Sequence, residues 1–531
     1  MTCLYLSPET WTLLACLVGL IAAYGYWPFG VLQKLGIPGP KPTPFFGTSL
    51  GYRKGLHNFD LECFKKFGKL WGIYDGRQPV LCILDPAMIK TVLIKECHSL
   101  FTNRRDADVN GPLHDALTVA RDDTWRRIRS TLSPLFTSGR LKEMFGIVET
   151  HSQALVKSMA RDAYRGKALD MKEFFAAYSV DVVASTAFSV DIDSLNNPKD
   201  PFVTNIKKLA NFDFSSPFFV TIGNNLSFRA ETGPQTTPRF LNCVFWPLHP
   251  PVGLFPFLIP VFKHFGISII NSSVTEFFCA SLQKIKSERT SGPNKKRVDF
   301  LQLMLDSQGA DKSEGNVALK GLNDHEILSQ SIFFIFAGYE TTSSTLTFLF
   351  YNLATHPDVM KKLQEEIDEV FPNAAPVQYE DLMKMDCLDS VMSETLRLFP
   401  VAGRIDRECK KTVEIHGVTI LKGMAVMVPT YVLHRDPDLW SDPESFKPER
   451  FSKENKESVN PHAYMPFGAG PRNCIGMRFA LMVMKLAVVK LLQQYSFVTC
   501  EETQIPLELD RQFFLTPKKA VKLRMVPRGS N

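Results

Sequence analysis

The longest uniform feature of the chain is apolar. From Thr10 to Gln33 no residue is charged, and WTLLACLVGLIAAYGYW (residues 11–27) is almost wholly hydrophobic. At about 1.5 Å of rise per residue, roughly 20 such residues cross a bilayer core, so the run predicts a transmembrane helix. Trp11 at one end and Tyr24, Tyr26 and Trp27 at the other stand where the two interfaces would fall. Only Glu9 precedes the run, whereas Lys34, Lys41, Arg53 and Lys54 follow it, a bias that puts the bulk of the chain on the cytosolic side. The rival is a cleaved signal peptide. Against it stand the length of the run and the lack of a basic leader or a small-residue cleavage site. Residues 1–35 are read as a membrane anchor. Residues 36–45, with prolines at 38, 40, 42 and 44, are read as a stiff linker, and 46–531 as the main domain.

Helical periodicity dominates the second half. The stretch from Asn323 to His356 holds no proline and is apolar nearly all round in its middle. It predicts a helix about 45 Å long, capped by Asn323 or Asp324, that runs through the body of the protein. A second membrane span is the alternative, which Glu340 and the Ser/Thr cluster 341–345 oppose. Further helices are predicted at 357–371, at DLMKMDCLDSVMSETLRLFP (381–400) and at 477–495. Strands are predicted in LWGIYDG, PVLCIL, TVEIHGVTI and VMVPTYV. The fold class is mainly α with a smaller β portion. Residues 222–253, rich in proline and polar turn formers, show neither period and read as an atypical insertion.

Composition narrows the functional classes. The 41 phenylalanines point to a large apolar interior or a lipophilic pocket. A net charge of +6 is too mild to argue for nucleic acid, but it suits an anionic membrane or an acidic protein partner. The 11 cysteines are scattered with no CxxC pair, which excludes a zinc ribbon or disulfide framework and fits a reducing compartment.

One of those cysteines sits apart, in PFGAGPRNCIG (466–476). Gly468 and Gly470 let the backbone turn tightly, and Cys474 falls just ahead of a predicted helix. A helix start offers free N–H groups and a positive dipole end, both of which favour a thiolate. Such a sulfur suits an axial ligand to haem iron. An ordinary buried thiol and a dinucleotide-binding turn are the alternatives. The second is weakened by Asn473 where its last glycine should stand.

FGAGPRNCIG resembles the haem-binding signature of the cytochrome P-450 monooxygenases, F-x-x-G-x-R-x-C-x-G, with Phe467, Gly470, Arg472, Cys474 and Gly476 matching. Glu394-Thr395-Leu396-Arg397 matches the family's E-x-x-R, Pro448–Phe451 its P-E-R-F, Ala337–Thr341 its A-G-x-E-T, and Trp125 with Arg129 its W-x-x-x-R. The resemblance runs from about residue 30 to 525, in family order. FTNRR, SPLFTSGRLKEMF, ETLRLFP and VLHRDP look like the vertebrate microsomal subfamily 3A. In that pattern 222–253 has no counterpart, so it is read as a genuine loop, a retained intron or a gene-model error.

The resemblance implies the cytochrome P-450 fold, a large helical domain with a smaller β-sheet portion behind an N-terminal transmembrane helix. It implies haem b with Cys474 as proximal iron ligand, and Arg105, Trp125, Arg129, Arg407 and Arg472 as contacts to the haem propionates. Phe467 and Gly338 would lie against the cofactor, Gly338 leaving room for dioxygen. Glu340 and Thr341 would hold water and relay protons. The bland alternative for Thr341 is a hydroxyl bonding one turn back along its helix. Thr118, Phe212, Phe214, Phe336, Ala337, Val401 and Ala402 would face substrate, with core packing as the alternative for each. Glu394, Arg397 and Arg450 would form a structural ion-pair network. Implied partners are NADPH-cytochrome P-450 reductase, met by a face carrying Arg126 and Arg478, together with cytochrome b5, a lipophilic small molecule and the endoplasmic reticulum membrane. NADPH would be used only through the reductase.

Overall fold

The computed structural model describes residues 7–105, 111–164, 166–210, 272–291, 299–308, 321–511 and 514–528. The insertion 222–253 and the candidates Phe212 and Phe214 lie outside the described residues.

Helix α1 (Pro8–Tyr26) opens on Ser7, whose hydroxyl accepts the Thr10 N–H. Leu13, Leu17, Val18 and Leu20 on it are exposed, and the segment Pro8–Lys34 is long and apolar enough to cross a membrane. The linker is packed onto the main domain. Ile37 is buried, the Gly72 N–H donates to the Pro38 carbonyl at 2.8 Å, and a Cβ on Gly39 would stand 2.0 Å from the Gly72 oxygen. The prolines lie along the edge of the sheet at Gly72.

The main domain is built on α2 (Asp122–Leu132), α3 (Ser138–Ala163), α4 (Met171–Phe188), α5 (Asp324–Thr355), α6 (Pro357–Val370), α7 (Asp386–Leu398) and α8 (Met477–Leu492). Helix α5 begins with a full capping box. The Asn323 side chain takes the Glu326 N–H at 2.8 Å, and the Glu326 carboxylate takes the Asn323 N–H at 2.9 Å. It ends at His356, which Pro357 keeps out of helical geometry. Its middle is buried against α4 on one side and the cluster of Met482, Leu486 and Val489 from α8 on another. The helix expected over 381–400 is two: Tyr379–Leu382, then α7. The Glu366 carboxylate of α6 accepts the Cys387 and Leu388 N–H groups at 2.7 and 3.0 Å, capping a new start inside the apolar run.

The strands are β1 (Leu70–Asp75), β2 (Gln78–Ile83), β3 (Ile405–Glu408), β4 (Val413–Ile415), β5 (Val418–Ile420), β6 (Ala425–Val428), β7 (Tyr495–Thr499) and β8 (Lys522–Pro527). Four form one sheet in the order β1-β2-β6-β3, with β2 and β6 parallel in the register Val80↔Ala425. The run VMVPTYV is a strand only up to Val428; Pro429 cannot donate to a ladder, and Thr430–Leu433 turn helical.

Candidate active site

The loop before α8 turns at Gly468 (φ +75°) and Gly470 (φ +71°). At Gly470 a Cβ would lie 2.0 Å from the Leu93 carbonyl oxygen, so only glycine lets the loop rest there. The Cys474 N–H donates to the Phe467 carbonyl at 2.8 Å and closes the loop; Phe467 thus acts here through its backbone. The Met465 N–H, at the loop's start, donates to Nε2 of the buried His434 at 3.0 Å.

Cys474 is accessible yet recessed. Burial pushes its thiol above the ordinary value, against the opposing pull of the Gly476 N–H and of Arg104 and Arg129. The N–H at the helix start therefore favours the thiolate as expected, and desolvation opposes it.

Arg104 and Arg129 act on this sulfur, and Arg407 and Arg472 stand beside Arg104 to make a cluster of four. Arg472 is buried, lies 4.4 Å from the Trp125 ring centre, and donates to the carbonyls of Thr102 (2.8 Å), Leu117 (3.3 Å), Thr118 (3.5 Å) and Ala120 (2.6 Å). Arg129, one turn after Trp125 on α2, holds Asn473 through its carbonyl at 2.9 Å and its side-chain oxygen at 2.7 Å. Arg407 donates to the Asp406 carbonyl at 2.7 Å, but its Nε and Nη2 have no partner, and neither has the Arg104 Nε. Among the described residues no salt bridge joins any of the four to a carboxylate. Burial and the neighbouring Arg104 lower Arg472 to about 9 and Arg407 to about 10.

Arg105, whose Nε is likewise without a hydrogen-bond partner, differs from these four in having carboxylates beside it. It pairs with Asp75 and its backbone N–H donates to Asp406 at 2.8 Å. Although burial opposes its charge, those two carboxylates hold it protonated above its ordinary value. The residue that faces the cluster is Arg104, whose Nη2 reaches the Arg472 carbonyl at 3.3 Å. The reason is alternation. FTNRR is extended beside β3, with the Glu408 N–H bonded to the Asn103 carbonyl at 2.8 Å, so successive side chains point opposite ways. Across from it Asp406 and Arg407 alternate in the same sense.

Helix α5 carries the next group. The Thr341 hydroxyl donates to the Ala337 carbonyl at 2.7 Å, one turn back. The Glu340 Oε1 takes Lys172 Nζ at 2.5 Å and the Ser344 hydroxyl at 3.1 Å, while the same Lys172 donates to Ser344 at 2.6 Å. Burial lowers Lys172 from its ordinary value, with Glu340 pulling the other way. Lys172, at the start of α4, carries no motif that would have marked it. Gly338 packs closely on α4. A Cβ there would lie 2.5 Å from Val183 Cγ2 of α4, and its carbonyl takes the Ser179 hydroxyl at 2.7 Å. Close packing against α4 thus itself requires the missing side chain.

Of the substrate-facing candidates, Phe336, Val401 and Ala402 are brought together by Phe514. The Phe336 and Phe514 rings are 5.8 Å apart, Phe514 bridges Ala402, and the Leu515 N–H donates to the Val401 carbonyl at 2.9 Å. Phe514, far along the chain, was not legible beforehand. Ala337 holds Thr341 as described, and Thr118 contributes its carbonyl to Arg472. Arg126 is exposed and tied to Asp123 at 2.8 Å; Arg478 is exposed.

A group that carries two carboxylates and a metal fits this donor set. A recessed sulfur lies beside cations, two of them with unsatisfied N–H atoms, and no carboxylate among the described residues forms a salt bridge with them.

Comparison with known proteins agrees. The family model described as Cytochrome P450 matches residues 37–234 and 238–525, and the chain belongs to the cytochrome P450 family. It is a P450 monooxygenase, with haem as the family's cofactor. The chain is 60% identical over 525 residues to "Cytochrome P450 3A27" of Oncorhynchus mykiss, covering 99% of this chain and 96% of that protein. It is 59% identical over 528 residues to "Cytochrome P450 3A40" of Oryzias latipes (99% of each), and 52% identical over 525 residues to "Cytochrome P450 3A12" of Canis lupus familiaris (99% and 98%).

Proposed function

We propose that this chain hydroxylates lipophilic substrates, steroids, drugs and other xenobiotics among them, with dioxygen and electrons that NADPH delivers through NADPH-cytochrome P-450 reductase. Cytochrome b5 serves as a second electron donor. The anchor α1 holds the enzyme in the endoplasmic reticulum membrane with its main domain in the cytosol. One observation carries the reading: the recessed Cys474 among arginines that no carboxylate neutralises.

Bound haem supplies the redox chemistry that activates dioxygen. Cys474 would ligate its iron, and Trp125, Arg104, Arg129, Arg407 and Arg472 would hold its two carboxylates. Arg105 instead braces β3 against β1 through Asp406 and Asp75. Thr341 already spends its proton on the Ala337 carbonyl, so its oxygen is left to accept from water. Glu340 Oε1 is taken by Lys172 and Ser344, and Oε2 is the atom that can take up and return a proton. Phe336, Ala337, Val401, Ala402 and Phe514 give the reacting region an apolar wall, which favours lipophilic substrates and excludes water.

The test is a steroid-hydroxylation assay in reconstituted vesicles. Product is expected only with NADPH, reductase and dioxygen together. Equal product without reductase or without NADPH would overturn the proposal.

A further inference from the structure

At the N-terminus of α5, on the surface and apart from the residues grouped around Cys474, two imidazoles converge on one carboxylate. Asp115 Oδ2 lies 3.2 Å from His114 Nε2 and 2.9 Å from His325 Nδ1. The two rings are 4.4 Å apart at a 35° tilt. All three donor atoms fall within 4.8 Å of one another.

The hydrogen bonding around His114 is unusual. Its Nδ1 lies 3.1 Å from the Gly111 carbonyl, which can only accept. Its Nε2 faces Asp115 Oδ2, which as a carboxylate oxygen also accepts. A neutral imidazole has one N–H and satisfies one of these two acceptors. A cation placed between Nε2 and the carboxylate would be shared by the two. With Nδ1–H fixed on Gly111, the ring presents the Nε2 lone pair in the outer-partner arrangement typical of metal-bound histidines.

The frame is rigid. The Gln330 side chain donates to the Asp115 carbonyl at 2.6 Å and accepts the Leu117 N–H at 2.8 Å, and Gln330 is itself fully buried. The segment bearing His114 and Asp115 is thereby clamped to the helix bearing His325. Neighbouring acids are engaged elsewhere: Glu326 pairs with Arg127, and Asp324 takes Lys286 at 2.5 Å and Gln308 at 2.8 Å. The three donors are partly exposed, so an ion can reach them.

We propose that His114, Asp115 and His325 bind a divalent transition metal, zinc above all, as a clasp between the 111–120 segment and the start of α5. Zinc at about 2.0–2.1 Å from each donor sets tetrahedral donor atoms about 3.3 Å apart, close to the two separations seen. Two imidazoles and one carboxylate are a donor set that zinc accepts, with water in the remaining position. On binding, His325 keeps its proton on Nε2 and ligates through Nδ1. The clasp bears on the Leu117, Thr118 and Ala120 carbonyls that hold Arg472, since all belong to the fastened segment.

The test is equilibrium dialysis of the haem-loaded, full-length chain, free of any histidine tag, against zinc ions, with metal analysis. The unmodified chain should retain one zinc that His325→Ala, Asp115→Asn and His114→Ala each weaken tenfold or more. His462→Ala, on a different surface, should not. If a variant loses its haem spectrum, the milder His325→Gln and His114→Gln serve in its place. Zinc retained equally by the chain and its clasp variants, or no zinc retained by the chain, would overturn the proposal.

Discussion

Two buried arginine clusters in this molecule look alike in sequence and differ in one respect. In the first, Arg397 lies against Glu394 through two bonds of 2.8 Å and against the carbonyls of His434, Pro443 and Ser445. Arg450 reaches the same Glu394 at 3.3 Å, and the Lys447 N–H donates to it at 2.8 Å. The guanidinium of Arg397 is fully buried, and all its N–H atoms find partners within the chain. In the second, Arg104, Arg129, Arg407 and Arg472 are like charges close together beside Cys474, and Arg104 and Arg407 leave N–H atoms unmatched. The first cluster is closed and holds the fold. The second is open and is organised for something that brings its own negative charge. Whether buried charge is balanced internally separates a structural network from a binding site.

The largest effect should come from opening the closed cluster. Glu394→Ala leaves Arg397 and Arg450 without an anion and should cost roughly 3–5 kcal/mol, enough to remove most folded protein. Folded yield and thermal midpoint measure it, and a midpoint within a degree or two of the parent would break the distinction.

The next effect sharpens the open cluster. Arg104→Met should weaken haem retention several-fold. Arg105→Met should leave haem content near the parent's while lowering stability by about 1–3 kcal/mol through the lost Asp75 and Asp406 contacts. Haem-to-protein ratio after gel filtration separates the two, and the reverse order would contradict the placement.

Gly338→Ala should come third. Its Cβ meets Val183, and overpacking less the gain in helix propensity leaves a net loss of about 1 kcal/mol. Adding Val183→Ala should recover the thermal midpoint if packing is the cause.

The smallest effect is in pH dependence. Burial, with Arg397 and Arg435 nearby, lowers His434 from 6.5 to about 3. The unfolded chain then binds the proton more readily. Stability from this group is present above about pH 6.5 and is lost as pH falls towards 3. His434→Gln should flatten the acid limb of a midpoint-against-pH curve.

Much of this was legible in the sequence. The apolar run of α1, the capped and proline-ended α5 and the glycine turn before Cys474 are local signals, set by spacing and backbone restriction. The residues that escaped depend on contacts far apart in the chain. Arg104 and Arg105 are identical neighbours, and only pairing beside β3 decides which faces inward. Lys172 and Phe514 meet α5 across long stretches of chain. The break before α7 follows from Glu366 on another helix. Gly338 matched a family motif, and its packing against Val183 was not visible in that motif.

The central claim is that Cys474, ringed by unneutralised arginines, grips the iron of a bound haem. The most direct measurement is the carbon-monoxide difference spectrum of the reduced full-length chain beside Cys474→Ala. The account predicts the band of thiolate-ligated haem in the first and its loss in the second. The same band at the same intensity in both would contradict it.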